Sequence, residues 1–308
     1  MITSVDFRNY RSFVQGSAKL APFTLVIGPN GSGKSNFLRL INDAGRLRKV
    51  DIHSVNLLGQ RHLNHLSEPQ TMVFSLADDG GVTITKGEAS STTFEEGSIR
   101  LYALNPSTIG RPEELQDHAT VQPDGSHAVS VLDGLKNGDR EDLFDRIETL
   151  LRQYIPAIEK LSLFIPEKGH KRLQVREKDI ASPFPLAELS EGTRLLLLIL
   201  TIVHQERAPK VILLEDLDRA LHPRLFQQLV ETLRSVTREK GVQIIATAHN
   251  PYLVDEFLDH EDAVLLVEKE NGESTITSLA ERLETGESKE GALGSLWFGG
   301  FVGAVPKL

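Results

Sequence analysis

Apolar residues recur along this chain with two periods, and its elements follow from them. Short apolar or alternating runs bounded by Gly, Pro or Asn read as strands. Residues 5–13 and 23–27 are the first two, and the second ends on a glycine-rich turn. Residues 72–76, 82–86 and 98–103 read as further short strands, with a turn at 78–81 between the first two. Three-and-four spacing of Phe37, Leu38, Ile41 and Ala44 predicts a helix from Ser35. Residues 105–138 are rich in Pro, Gly, Asp and Ser without periodicity, and are expected to be loops. Residues 139–154 form an amphipathic helix with Leu143, Phe144, Ile147, Leu150, Leu151 and Tyr154 on one face; Pro156 follows it. Leu173 and Val175 alternate with polar neighbours as in a strand, and residues 182–185 are a break. Ser190 caps a helix running to Glu206. A wholly apolar strand at 211–214 and a buried strand at 242–246 flank a helix at 223–240. Strands at 263–267 and 274–278 flank Asn271 and Gly272, a hairpin signal. Alternating strands and helices in the second half predict a parallel sheet covered on both faces.

Composition narrows the chemistry. The chain has 308 residues, 40% apolar and 25% charged, the balance of a folded globular protein. It has no cysteine, which excludes disulfides, Cys-ligated zinc, iron–sulfur clusters and thiol nucleophiles. The longest apolar run, residues 195–203 interrupted by Thr201, falls short of the roughly 18–20 residues of a membrane span. The N-terminus lacks a signal-peptide layout, so a cytoplasmic chain without membrane insertion is expected. The net charge of −9 is uneven: residues 1–49 carry eight Lys/Arg against two Asp/Glu, and residues 190–308 twelve against nineteen. That total argues against broad coating of nucleic acid but leaves two local basic tracks, at 46–49 and at 168–178.

The sharpest motif is Gly28, Pro29, Asn30, Gly31, Ser32, Gly33, Lys34, Ser35, between an apolar strand and an amphipathic helix. It fits G-x-x-x-x-G-K-[ST], the phosphate-binding loop. Gly31 and Gly33 let backbone amides turn inward around phosphate oxygens, and the helix N-terminus adds partial positive charge. Lys34 serves as a point charge for the β/γ-phosphates, and Ser35 offers a hydroxyl to magnesium.

With Asn30 in that loop, and an aromatic followed by Arg11 and Ser12 in the first strand, the chain resembles the ABC-type branch of P-loop ATPases, in its RecF/SMC/OLD-like group. Leu189, Ser190, Glu191, Gly192 and Thr193 resemble the ABC signature, which in the family meets the γ-phosphate of ATP held by another subunit. Residues 211–223 resemble the Walker B strand and D-loop, with Glu215-Asp216-Leu217 where the family has Asp-Glu-Pro. By that resemblance Glu215 supports magnesium through water and Asp216 orients the attacking water. Asp216 is one methylene shorter than the usual Glu, which implies slow hydrolysis and keeps Asp218 as a second candidate. His249, after a buried strand, resembles the switch histidine that contacts the γ-phosphate. Gln60 resembles the metal-sensing glutamine, and the ATP-binding set extends to Asn36 and Arg11.

The resemblance implies an α/β fold, an ABC-ATPase head: a P-loop core with a mixed, largely parallel sheet flanked by helices, plus an antiparallel β subdomain. Residues 1–308 are expected to form one such domain: an N-terminal lobe (1–104), a loop-rich and helical insertion without long coiled coil (105–188) and a C-terminal lobe (189–308). One P-loop and one signature per chain imply a head-to-tail homodimer sandwiching two ATP molecules with Mg2+. No heptads are sustained, so long arms are not expected, and neither is a Toprim nuclease after the hairpin. Compact ATPases of this kind resemble sensor subunits of bacterial anti-phage and toxin–antitoxin-like systems, which act with a separate effector, often a nuclease. The alternatives are a RecF-like DNA-repair ATPase binding DNA through Arg46, Arg48 and Lys49 or residues 168–178, and the nucleotide-binding subunit of a transporter. The apolar, glycine-rich tail at 293–303 reads as a packed terminal segment or a docking surface.

Overall fold

A computed structural model describes residues 1–46, 73–78, 97–285 and 292–305. The chain separates into two compact units: Met1–Leu101, Pro209–Asp218 and Thr237–Leu308 form the first, and Tyr102–Ala208 with Arg219–Val236 the second. The strands begin with β1 (Ile2–Tyr10), β2 (Phe13–Lys19), β3 (Phe23–Ile27), β4 (Val73–Asp78) and β5 (Ile99–Tyr102). The second unit holds β6 (Glu113–Glu114), β7 (Ile158–Glu167), β8 (His170–Glu177) and β9 (Phe184–Pro185). The first unit resumes with β10 (Val211–Leu214), β11 (Gln243–Ala248), β12 (Val264–Glu270) and β13 (Glu273–Ser278). The helices are α1 (Lys34–Arg46), α2 (Ala128–Asn137), α3 (Glu141–Tyr154), α4 (Glu191–His204), α5 (Phe226–Lys240), α6 (Pro251–Asp255), α7 (Leu279–Thr285) and α8 (Leu293–Phe298).

Among the described residues of the first unit, nine strands make one sheet, in the order β4-β1-β2-β13-β12-β3-β11-β10-β5. Its middle, β12-β3-β11-β10, is parallel, and β4-β1-β2 is antiparallel. This is the mixed sheet with an antiparallel part that the sequence implies. Strands β3, apolar but for Thr24, and the wholly apolar β10 are buried along their full length, as the parallel interior demands. Phe7, Phe13 and Phe37 meet edge to face, with ring centroids 5.0–6.4 Å apart. Burial of each ring contributes about 1.5–3 kcal/mol, which holds α1 against β1 and β2.

The second unit sets β8 between β7 and the short β6 and β9. Leu143, Phe144, Ile147, Leu151 and Tyr154 of α3 are buried, as their spacing requires. From Leu195 to Val203, α4 is buried on every side, and Thr201 satisfies its hydroxyl on Leu197 O at 2.7 Å.

Two expectations need correction. The run at 5–13 is not one strand: β1 ends at Tyr10, the chain turns at Arg11 and Ser12, and β2 starts at Phe13. The 105–138 stretch contains a helix, α2, whose Val129, Leu132 and Leu135 are buried. Residues 158–167 form β7, a strand not among those expected. In the tail, Leu293, Leu296 and Trp297 of α8 are buried and Trp297 Nε1 donates to Ala304 O at 2.9 Å, while Phe298 and Phe301 are exposed. The strand expected at 82–86 and Gln60, Arg48 and Lys49 lie outside the described residues.

Candidate functional site

The 28–35 loop leaves the C-terminal end of β3 and enters α1. A Cβ on Gly28 would stand 2.2 Å from Val267 O, so glycine lets the chain pass against β12. Gly31 and Gly33 have φ of +77° and +120°, backbone that glycine adopts without penalty. A Cβ on Gly33 would also meet Ser274 Oγ at 2.6 Å. Ser274 Oγ donates to Ser32 O and lies in hydrogen-bond contact with Ser12 Oγ at 2.8 Å, so β13 and the first hairpin brace the loop from behind. Lys34 is 6% exposed and donates to Gly28 O at 2.8 Å and Pro29 O at 3.0 Å. Burial depresses its pKa to about 8, against the opposing pull of Asp216 and Asp218. Ser35 is exposed on the first turn of α1, which carries no acidic residue to offset the helix dipole. Asn36 donates to Ser12 Oγ at 3.0 Å and accepts from Arg11 Nη1 at 3.4 Å, bringing the predicted Arg11 to the start of α1.

Strands β10 and β11 run parallel to β3 and deliver the acidic and histidine residues at the same sheet edge. Among the described residues the buried Glu215 Oε1 has no hydrogen-bond partner; Arg39 Nη2 approaches it at 4.0 Å. Asp216 stands at φ 51°, a left-handed conformation that Asp tolerates better than most residues. Thr247 of β11 holds it there: Asp216 N donates to Thr247 Oγ1, and Leu217 N to Thr247 O, both at 2.9 Å. His249 Nε2 lies 3.3 Å from Asp216 Oδ1. Asp218 Oδ2 accepts from His249 N at 2.8 Å and Asn250 N at 2.5 Å. The first unit thus gathers the 28–36 segment, Arg11, Glu215, Asp216 and His249. Sequence reasoning missed Thr247, Ser274 and the backbone contacts of Asp218; only the third acid after an apolar strand was a visible cue.

The predicted signature belongs to the second unit. Ser190 is the N-cap of α4, its Oγ accepting from Thr193 N at 3.2 Å. Glu191 pairs with Arg219 at 3.0 Å. A Cβ on Gly192 would stand 2.2 Å from Ala220 O, so this glycine has a packing role inside its own chain. In the 168–178 track, Lys171 pairs with Asp133 at 2.5 Å and the Arg172 guanidinium lies 5.1 Å from the Phe164 ring centroid. Among the described residues no helix is long and apolar enough to cross a membrane.

Comparison with known proteins adds the relatives. The family described as "AAA_21: AAA domain, putative AbiEii toxin, Type IV TA system" matches residues 23–255. The Septu protein PtuA of Bacillus mycoides (strain KBAB4) is 25% identical over a 355-residue alignment, covering 97% of this chain and 45% of that protein. Structural maintenance of chromosomes protein 4 of Dictyostelium discoideum is 24% identical over 210 residues, covering 56% of this chain and 14% of that protein. The chain therefore spans less than half the length of either relative. Among solved structures, an SmcHead bound to the C-winged helix domain of ScpA matches with a TM-score of 0.59 at 12% identity, covering 92% of this chain and 99% of that one. The Smc head domain with an extended coiled coil from Pyrococcus furiosus matches at 0.58 and 10% identity, covering 92% and 98%. Both likenesses are of fold.

Proposed function

The chain belongs to the AAA_21 family of AAA domains, and from that premise we propose that it is a dimeric switch that binds and hydrolyses ATP. One observation carries the reading. Lys34, in the field of Asp216 and Asp218, and the Asp216–His249 contact at 3.3 Å come from loops at one edge of a parallel sheet. The amides of Gly31 and Gly33, with Lys34, bind the phosphates, and Arg11 and Asn36 support that end. Asp216 orients the attacking water and His249 reports the γ-phosphate. Ser35 and Glu215 would hold magnesium; the buried Glu215 Oε1, which accepts no hydrogen bond among the described residues, fits a water-bridged cation. When bound, magnesium neutralises phosphate charge. The shorter Asp216 carboxylate keeps hydrolysis slow.

With one P-loop and one signature in the chain, Ser190, Glu191 and Gly192 act on ATP held by a second copy, so ATP joins two chains and hydrolysis releases them. The toxin–antitoxin system in the family's description and the resemblance to PtuA support a switch in an anti-phage or toxin–antitoxin-like system, controlling a separate effector protein. The test is Lys34→Ala. By isothermal titration the variant is expected to lose ATP binding. In wild type, ATP with magnesium is expected to double the mass in solution. Unchanged ATP affinity in the variant would sink the reading.

A further inference from the structure

Asp218 lies between two candidate roles, base and structural acid, and its contacts separate them. One carboxylate oxygen, Oδ2, receives both the His249 and the Asn250 backbone N–H groups. Asn250 in turn caps α6, its Oδ1 accepting from Tyr252 N at 3.0 Å. In the opposite direction, Asp216 N and Leu217 N donate to Thr247 of β11. Four hydrogen bonds therefore lace the turn after β10 to the end of β11 and the turn that follows it. Two fix Asp216 and its neighbour, and two fix His249 and its neighbour. Backbone N–H groups aimed at a carboxylate are strong, charge-assisted donors, and they fix the His249 main chain where the imidazole meets Asp216.

We propose that Asp218 is the positioning residue of the switch, setting the His249 main chain so that its imidazole stays against Asp216. The proposal rests on the ATPase reading for its kinetic consequence, but not for its geometric one. Asp218→Asn keeps an acceptor oxygen at the same place, so it retains the clamp and most of the turnover. Asp218→Ala removes the acceptor and leaves two amides without it. Misplacing a reacting group by about an ångström costs up to roughly 100-fold, so kcat in Asp218→Ala falls by about 10–100-fold while KM for ATP changes little.

Two measurements on the full chain decide it. Hydrogen exchange of peptides covering residues 247–255 should quicken in Asp218→Ala and match wild type in Asp218→Asn. ATP turnover should follow the same order. Asp218→Ser, with a shorter hydroxyl, stands in for the alanine variant if that chain does not fold. Unchanged exchange in the alanine or serine variant overturns the proposal. So does an Asp218→Asn variant as inactive as the alanine one with its amides still protected, since that result makes Asp218 a base. A wild-type chain without ATP turnover defeats the ATPase reading alone, and the exchange measurement still decides the clamp.

Discussion

Two loops of this chain have the same look in sequence, serine and glycine before a helix, yet they use glycine for opposite reasons. At Gly31 of the 28–35 loop the need is conformational: it stands at φ +77° with nothing among the described residues within 4 Å of where its Cβ would lie. In the 189–193 loop the need is space: Gly192 is in the first turn of α4, and a Cβ there would stand 2.2 Å from Ala220 O. The residue it accommodates is itself unusual, since Ala220 has φ 58°. One glycine supplies a backbone shape and the other an absence of side chain. A shared motif grammar thus hides two kinds of constraint, and substitutions that separate shape from volume tell them apart.

The largest effect is expected at Gly192. Gly192→Ala must push the Ala220 carbonyl away or shift the start of α4, because a backbone atom cannot swing aside as a flexible side chain does. Overpacking of this kind costs about 1–3 kcal/mol, or roughly 2–6 °C in Tm for a chain of this size. A thermal melt checks it. A melt within error of wild type would show that the Ala220 carbonyl does not constrain this loop.

Charge divides the loops as well. Lys34 is buried, with a pKa near 8, while the Glu191–Arg219 pair of the other loop is half exposed. The pH dependence of ATP binding should therefore come from the 28–35 loop. Phosphates favour the protonated amine, so binding raises the Lys34 pKa. Above about pH 8 the free chain has lost that proton and must regain it to bind. ATP affinity is then expected to fall by up to about tenfold per pH unit between pH 8 and 10. Stability has the opposite sign. The unfolded chain holds the Lys34 proton up to 10.5, so this group makes folding more favourable as pH rises from about 8 to 10.5. Titration calorimetry across pH 7–10 tests the first statement, and a flat affinity would show that Lys34 keeps its charge throughout.

The two loops also measure what sequence can reveal. The 28–35 loop was legible because its constraint is local: strand, glycines, lysine and helix are contiguous. The β12–β13 hairpin was legible for the same reason, with Asn271 and Gly272 at positive φ. The turn between β1 and β2 went unseen because Arg11 and Ser12 make it, Arg11 at φ 52°, with no glycine or asparagine at the corner. Helix α2 went unseen because its N-cap, His127, is left-handed and makes no side-chain capping bond. The Asp218 clamp and the packing of Gly192 were out of reach for another reason: each partner lies far along the chain, where no local pattern points to it.

The smallest effect sharpens the contrast most. At Gly31 a side chain has room, so the penalty is only that of holding an L-residue at positive φ, about 1–2 kcal/mol for alanine. Asparagine visits that region more readily than alanine. Gly31→Asn should therefore be the milder change, retaining more thermal stability than Gly31→Ala by a fraction of a kcal/mol. The same pair at Gly192 should invert: asparagine adds volume where volume is the problem, so Gly192→Asn should be no better than Gly192→Ala. Melts of the four variants side by side read both orders at once. If asparagine outperforms alanine at both positions, conformation and not packing governs Gly192. If alanine outperforms asparagine at both, Gly31 is not open and its side-chain space is limiting too.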